Sequence, residues 1–538
     1  MRSTFASTVF FSTLLWTSQC TTARRQDTDI ESDSVERQRH YSHPSNDVGE
    51  EDETYPIKTK KTVARLRKPK TVKTNVTKPE KVLTSKDHRY SPARAIRDVG
   101  SIIHVPPTTR ANRFPSVEQR IKLYMSNWYS PPCDDARDQF VRYEYNSESD
   151  GSEWKTLHLE AMSHEGLVNG TLTELHIKSI VEPDTLFYMD KETMQFCARD
   201  EIGDPEIEVM LSPRDQVLSE RVMASTMQMY CYDIKKLMLP ALLHVDWERE
   251  GTDKEAPPTL LQFGDNKNSH GHGTIAFPHL KKFRSAVASQ KDLDRVTSVE
   301  CHNKPREMLN AVHGNQVFQP IVWKLATHRH FGYLSRIQHW DTPWSEKMDK
   351  AIFRGQLTGA KDNYLRHESD FYNCMHMNRC KLVYEHANST LLDAKLTSTR
   401  RRLPDVLNGV ELVTVKSYPD ALLKYKGLVM IEGNDVASGL KWALLSQSVV
   451  LMPVPKHTSW AMEELLEPWV HYVPLDDDAS NVEELMQWVI DHDAEAQKIA
   501  ERATLWMEDL VFHPDAAEDD RLIQEEIMRR YQAHFAPI

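Results

Sequence analysis

Beyond its first two dozen residues this sequence has no apolar run near the roughly 20 residues that a membrane-crossing helix needs, so no internal span is expected. Nor has it a surplus of positive charge. Its 67 Lys and Arg are outnumbered by 79 Asp and Glu, a net charge of −12, and a nucleic-acid partner is not expected on that balance. No internal repeat is visible, and cysteines number only seven in 538 residues. What is present is material for a core, with 40% hydrophobic residues and 12 Trp. The length suits two domains plus a tail.

The start of the chain differs from the rest. Arg2 precedes an apolar run from Phe5 to Trp16, diluted by Ser and Thr, and small residues come after it up to Cys20 or Ala23. Residues 1–23 read as a secretory signal peptide, or as an uncleaved signal anchor that would make a type II membrane protein. Either puts the remainder in the secretory lumen, endoplasmic reticulum or Golgi, and membrane contact is expected only with the anchor. Loss of Cys20 leaves six cysteines (Cys133, Cys197, Cys231, Cys301, Cys374 and Cys380), an even number suited to an oxidising compartment. Cys374 and Cys380 are close enough to be joined across a short loop. Sequons at Asn75, Asn169 and Asn388 agree with export. Residues 24–115 carry an acid-rich stretch and then a base-rich one, with few aromatics and no apolar period. Such a segment buries too little surface to offset its ordering entropy, which predicts a disordered, solvated stem.

Order is expected from near Val117. EQRIKLYMSNWY and RVMASTMQMYCYDIKKLMLPALL space apolar residues as helices do, while LLQF and TIAF read as strands. Further on, Val410–Val415, Leu428–Ile431 and Val449–Pro453 are strand-like. Between them lie a short helix over Tyr418–Lys426, with Pro419 in its first turn, and another opening near Val436. This rhythm implies an α/β chain with a parallel sheet and crossover helices. NVEELMQWVIDH and AEAQKIAERATLWMEDLV are amphipathic helices, and the last helix begins near Asp519.

Three segments carry chemistry. The turn Glu432-Gly433-Asn434-Asp435 comes after a strand, with Asp435 as a plausible N-cap and Ser438 three residues on. Helix-start amides with Lys441 a turn later would favour a phosphate, although such turns often only cap a helix. In IFRGQLTG, Arg354 beside Gly355 could grip a diphosphate bidentately or tie a loop to a carboxylate. In TLLQFGD, Asp265 ends an apolar run where a general base could sit, and Asp246 in LLHVDW has a similar context. Asp476-Asp477-Asp478 reads as a solvated loop and not a metal motif, and His270 and His272 lack a ligand cluster beyond Asp265. Trp460 and Trp469 could stack on a sugar or uracil, or belong to the core. No phosphosulfate-binding loop follows an early strand, which sets aside a nucleotide-dependent sulfotransferase.

FRGQLTG, KYKGLVMIEGNDVASGLKWALLSQSVVLMP, SWAMEELLEPWVHYVPL and NVEELMQWVIDHDAEAQKIAERA together resemble glycosyltransferase family 90, which includes animal protein O-glucosyltransferases and fungal capsule xylosyltransferases. The resemblance spans roughly residues 259 to 510. It implies a GT-B-like pair of Rossmann-like domains, 116–340 on the acceptor side and 341–538 binding the donor, the latter with terminal helices. It also implies a UDP-sugar donor, a protein or polysaccharide acceptor, and inversion without a divalent metal or other cofactor. Arg354 and Gly355 fall on the family's diphosphate-contacting FRG. Gly433, Asp435 and Ser438 fall in its turn-to-helix donor site, and Asp265 falls on its catalytic aspartate. Many members carry an arginine where this chain reads SGLKW, so Lys441 would supply the charge there, as a point charge and not a planar fork. Glu463, Glu464 and Trp460 are candidates for sugar or ribose contact. The alternative is an inactive relative that binds glycans or scaffolds on the same fold.

Overall fold

A computed structural model describes residues 114–146, 156–163, 172–178, 186–189, 233–248, 257–262, 275–308, 319–359 and 367–538. The expected leader, nearly all of the stem, Cys197, Cys231, Asn75, Asn169, His270, His272 and the Gly264-Asp265 pair lie outside the described residues. Among the described residues no helix is long and apolar enough to cross a membrane.

The first helix, Val117–Met125, starts on a reciprocal cap: the Ser116 hydroxyl accepts from the Gln119 N–H, and the Gln119 side chain accepts from the Ser116 N–H. Its inner face buries Ile121, Tyr124 and Met125. Two sheets come next. In one, β1 (Val141–Asn146), β2 (Thr156–Ser163) and β3 (Leu172–Lys178) run antiparallel. In the other, β4 (Leu186–Met189) is antiparallel to β5 (Thr259–Gln262). The short β6 (Ile275–Ala276) pairs with β2, whereas β7 (Leu280–Lys281) lies parallel to β5 and β9 (Ile321–Val322) parallel to β7. Between them in sequence lies β8 (Phe283–Ser285).

The expected run LLHVDW is not a strand end. Asp246 lies in the helix Leu239–Glu248, which continues directly from a π-helical turn over Ile234–Met238. An apolar run this short does not reveal its own period.

The remaining strands form one all-parallel sheet. It is built from β10 (Met348–Gln356), β11 (Leu392–Ser398), β14 (Tyr425–Val429), β15 (Val449–Pro453) and β17 (Val473–Leu475), ordered β11–β10–β14–β15–β17. Counted along the chain this is second, first, third, fourth, fifth, a doubly wound order that reverses direction between β10 and β14. Apolar runs such as Ala351-Ile352-Phe353 and Val449–Met452 are buried, as parallel strands covered on both faces must be. Gly427 is fixed by packing, since a Cβ there would lie 2.8 Å from Leu451 Cδ1 and 2.9 Å from Met486 Sδ.

The strand read over Val410–Val415 is shorter than expected: β13 (Val410–Glu411) closes a hairpin with β12 (Val406–Leu407), and Val413 only bridges to Leu396. Pro419 does open a helix, Pro419–Leu422. The helix expected from Val436 begins at Leu440 and ends at Leu445, with Gly439 before it and no side-chain cap.

Two seams join the early and late parts of the chain. Strand β16 (His457–Ser459) pairs antiparallel with β8. After the helices Val482–Asp491 and Asp493–Met507, the helix Ala516–Gln532 packs along Val117–Met125. Buried Arg120 pairs there with Asp520 at 2.9 Å. Strand β18 (Phe535–Pro537) then adds in parallel to β1. Disulfides join Cys133 to Cys301 and Cys374 to Cys380, the second across the short loop expected.

Candidate functional site

Every strand of the parallel sheet ends at one cleft of about 1030 Å³. Thr358 and Gly359 follow β10, Arg402 follows β11, Ile431 to Asn434 follow β14, Lys456 follows β15, and Asp477 and Asp478 follow β17. The carboxyl ends of parallel strands, at the place where strand order reverses, are where open α/β sheets hold ligands.

The β14 turn forms the cleft's centre. Gly433 donates its N–H to Asp435 O at 3.1 Å, and the Asn434 side-chain oxygen accepts the Gly359 N–H at 3.0 Å. A Cβ on Gly433 would sit 2.4 Å from Thr358 Oγ1, and Gly359 has φ +86°, so glycine at both positions lets the two loops touch. Arg379 ties them. Its Nη1 donates to Gln356 O at 2.9 Å and to Thr358 Oγ1 at 2.7 Å, while Nη2 donates to Ile431 O at 2.7 Å. Burial lowers the Arg379 pKa to about 10, against the pull of Asp435 and Glu432.

On the opposite rim the Glu432 carboxylate accepts the backbone N–H groups of Lys456 and His457 and faces His457 Nδ1 at 2.7 Å. Lys381 pairs with Asp478 at 2.6 Å and Lys456 with Asp477 at 3.1 Å. Burial alone would raise Asp478, but Lys381 and Ser480 outweigh it and hold its pKa at about 2. The acidic run is therefore a lysine-paired rim of the cleft. Among the described residues the one cluster with metal-ligand geometry is His158, Glu160 and Glu174 on β2 and β3, and none of the three lines the cleft.

The sequence-nominated residues divide. Gly433 and Glu463 line the cleft, and Gly355 stands beside it, where a Cβ would lie 3.5 Å from Arg379 Nη1. Arg354 donates to Phe353 O, to Asp393 O and, at 2.8 Å, to the Asp393 carboxylate on β11. Asp435 is not an N-cap, because its carboxylate turns to buried Lys282 at 2.7 Å and the helix starts five residues later. Ser438 is half-buried in the intervening turn and does not line the cleft.

Lys441 is fully buried and pairs with Glu463 at 2.6 Å, so it does not present a free charge to the cleft. Burial would raise Glu463, but Lys441 and the Ser459 hydrogen bonds hold it below its ordinary value. Glu464 is sealed against Arg284 at 2.6 Å. Trp460 is a core residue, stacked on Tyr124 at 4.3 Å with its indole N–H to Asp520. Trp469 packs edge-on against Trp488.

Sequence reasoning missed Arg379, Arg402 and the Glu432–His457 pair. The signal available for Arg379 was its place between two cysteines joined by a disulfide.

Residues 334–513, which contain this sheet and cleft, match the family model described as glycosyl transferase family 90. That segment, about a third of the chain, is similar to glycosyltransferase family 90. It is similar to the O-glucosyltransferase LpsA of Dichelobacter nodosus, 41% identical over 85 residues that make up 16% of this chain and 27% of that protein. Protein O-glucosyltransferase 2 of Danio rerio is 34% identical over 166 residues, 30% of this chain and 29% of its own length. Protein O-glucosyltransferase 1 of Homo sapiens is 28% identical over 199 residues, 34% of this chain and 44% of its own. The chain thus spans less than half the length of each of these relatives.

Proposed function

We propose that this chain is a glycosyltransferase of family 90 that moves a sugar from a UDP-sugar to a hydroxyl of a protein or glycan in the secretory pathway. The observation that carries the reading is the cleft at the carboxyl ends of all five parallel strands, large enough for a nucleotide sugar. Glucose is the first sugar to test, because the three relatives are named as O-glucosyltransferases. Two Rossmann-like domains in a GT-B-like arrangement remain the architecture we assign. The parallel sheet takes the donor, and the half containing β5 takes the acceptor.

In this reading Asp265, three residues beyond the end of β5, removes the acceptor proton as the hydroxyl attacks the anomeric carbon. The bond to the departing diphosphate breaks and the configuration inverts. Cleft cations stabilise the charge that develops on the diphosphate, without a divalent metal. The two disulfides and the exposed sequon Asn388 support a lumenal site of action. Incubating the protein with a panel of UDP-sugars and measuring UDP release, with and without chelator, tests this. No release with any donor overturns it, and loss of turnover on chelation, restored by manganese, overturns metal independence.

A second reading is favoured by one observation. Arg354 and Lys441, the two cations expected at the diphosphate, are both neutralised by carboxylates. A relative that binds glycans without turnover would tolerate this.

A further inference from the structure

The cleft's charges are almost all used internally. Arg379 is occupied by carbonyl and hydroxyl oxygens, and Lys381 and Lys456 are paired with carboxylates. One cation that lines the cleft is different. Arg402, just beyond β11, is exposed, and among the described residues its side chain has neither a hydrogen bond nor an ion pair.

The backbone that presents it is strained. Arg400 and Arg401 are consecutive non-glycine residues in the left-handed region, with φ of 53° and 59°. Each such residue costs on the order of 1 kcal/mol or more. The turn is held by its own bonds: Arg400 N–H to Ser398 Oγ at 2.9 Å, Arg402 N–H to Thr399 O at 3.0 Å, and Thr399 Oγ1 to Asp405 Oδ1 at 3.0 Å. Buried Thr399 and Leu403 anchor its two sides. A tight turn that exposes three successive arginines, and leaves the one lining the cleft unneutralised, is an arrangement for holding an anion.

Resting on the UDP-sugar reading above, we infer that Arg402 is the principal diphosphate contact of this cleft, in place of the expected Arg354 and Lys441. A guanidinium can take two phosphate oxygens at once, which the paired lysines on the rim cannot do. Nothing has to be unpaired for it to bind. Arg354 would first have to leave Asp393, and Lys441 would leave Glu463 uncompensated in the core.

The test is calorimetric titration of the full chain with UDP and with uridine, which lacks the diphosphate. Wild type should prefer UDP. Arg402→Ala should bind UDP about 10- to 150-fold more weakly, with uridine unchanged, as expected for losing hydrogen bonds to a charged group. Arg402→Lys should recover part of the loss. Arg400→Gly/Arg401→Gly removes two charges but suits the backbone, and should stay within about twofold of wild type. Arg402 is exposed, so its variants should melt with wild type.

Unchanged UDP binding in Arg402→Ala overturns the inference and leaves the donor reading standing. So does an equal loss in the double glycine variant, which would mean that general positive potential, not one contact, holds the anion. Wild type with no preference for UDP over uridine overturns both the inference and the donor reading.

Discussion

Two sheets in this molecule end their parallel strands on polar groups, and they use those groups in opposite ways. In the β4–β5–β7–β9 sheet the ends are sealed: Lys281 donates to Gln262 at 2.8 Å, and both side chains are buried. The adjacent Lys282 is buried as well and reaches across to Asp435. In the β11–β10–β14–β15–β17 sheet the strand ends open into a cleft with Arg402 on its rim. One sheet spends its strand-end polarity on its own closure, and the other leaves its strand ends at an open cleft. The sealed sheet can then contribute chemistry only through residues beyond its strands, and Asp265 comes three positions after β5.

The largest expected effect breaks or keeps that division directly. Asp265→Asn should lower turnover by about 10²- to 10⁴-fold while UDP affinity stays nearly constant, because a positioned base acts in the transition state. Asp246→Asn, in a helix, should be mild. A dead Asp246 variant beside a normal Asp265 variant would move the base elsewhere.

Next comes Lys441→Met, which leaves Glu463 buried without its partner. Chemical denaturation should show a loss of about 3–5 kcal/mol, largely restored when Glu463→Gln is added. The same pair sets a pH dependence. Glu463 is held below its ordinary value in the folded state. Its contribution is therefore complete above the unfolded carboxylate pKa, at about pH 5 and higher, and is lost as pH falls through the lowered folded value. Melting temperature measured downward from about pH 6 should fall more steeply for wild type than for the double variant.

A smaller effect is expected from Gly433→Ala. Its Cβ would press on Thr358 Oγ1, so UDP affinity should drop by about 1–2 kcal/mol as the two loops move apart. The smallest is Arg354→Ala. Its tie to half-exposed Asp393 should cost about 1 kcal/mol of stability, with little change in UDP affinity. A large loss of UDP binding there would return the diphosphate to the FRG segment.

How far the sequence could be read depends on how local each cause is. Val449–Pro453 appears with the bounds the apolar run suggested, because a strand buried on both faces declares itself in consecutive residues. Pro419 opened its helix for a reason contained in one ring. The helix after the EGND turn starts late because Asp435 is drawn to Lys282, a partner 153 positions away in sequence that no local cap rule can see. Lys441 and Trp460 looked available because nothing near them in sequence shows Glu463 beneath one or Tyr124 against the other. Arg402 was passed over inside RRR, where a run of like charge reads as a solvated face.

The seam between β18 and β1 has a consequence for how the protein is made. His534 bonds to Trp128 O across 406 residues, and Phe535 aligns with Val141. At the usual 5–20 residues per second, roughly 20–80 seconds of synthesis separate the two sides of that seam. Through that interval β1 has an open edge with unpaired backbone groups, the kind of template on which other chains add. Removing residues 535–537 would leave that edge of β1 open, and the shortened protein is expected to give a lower soluble yield than the full chain.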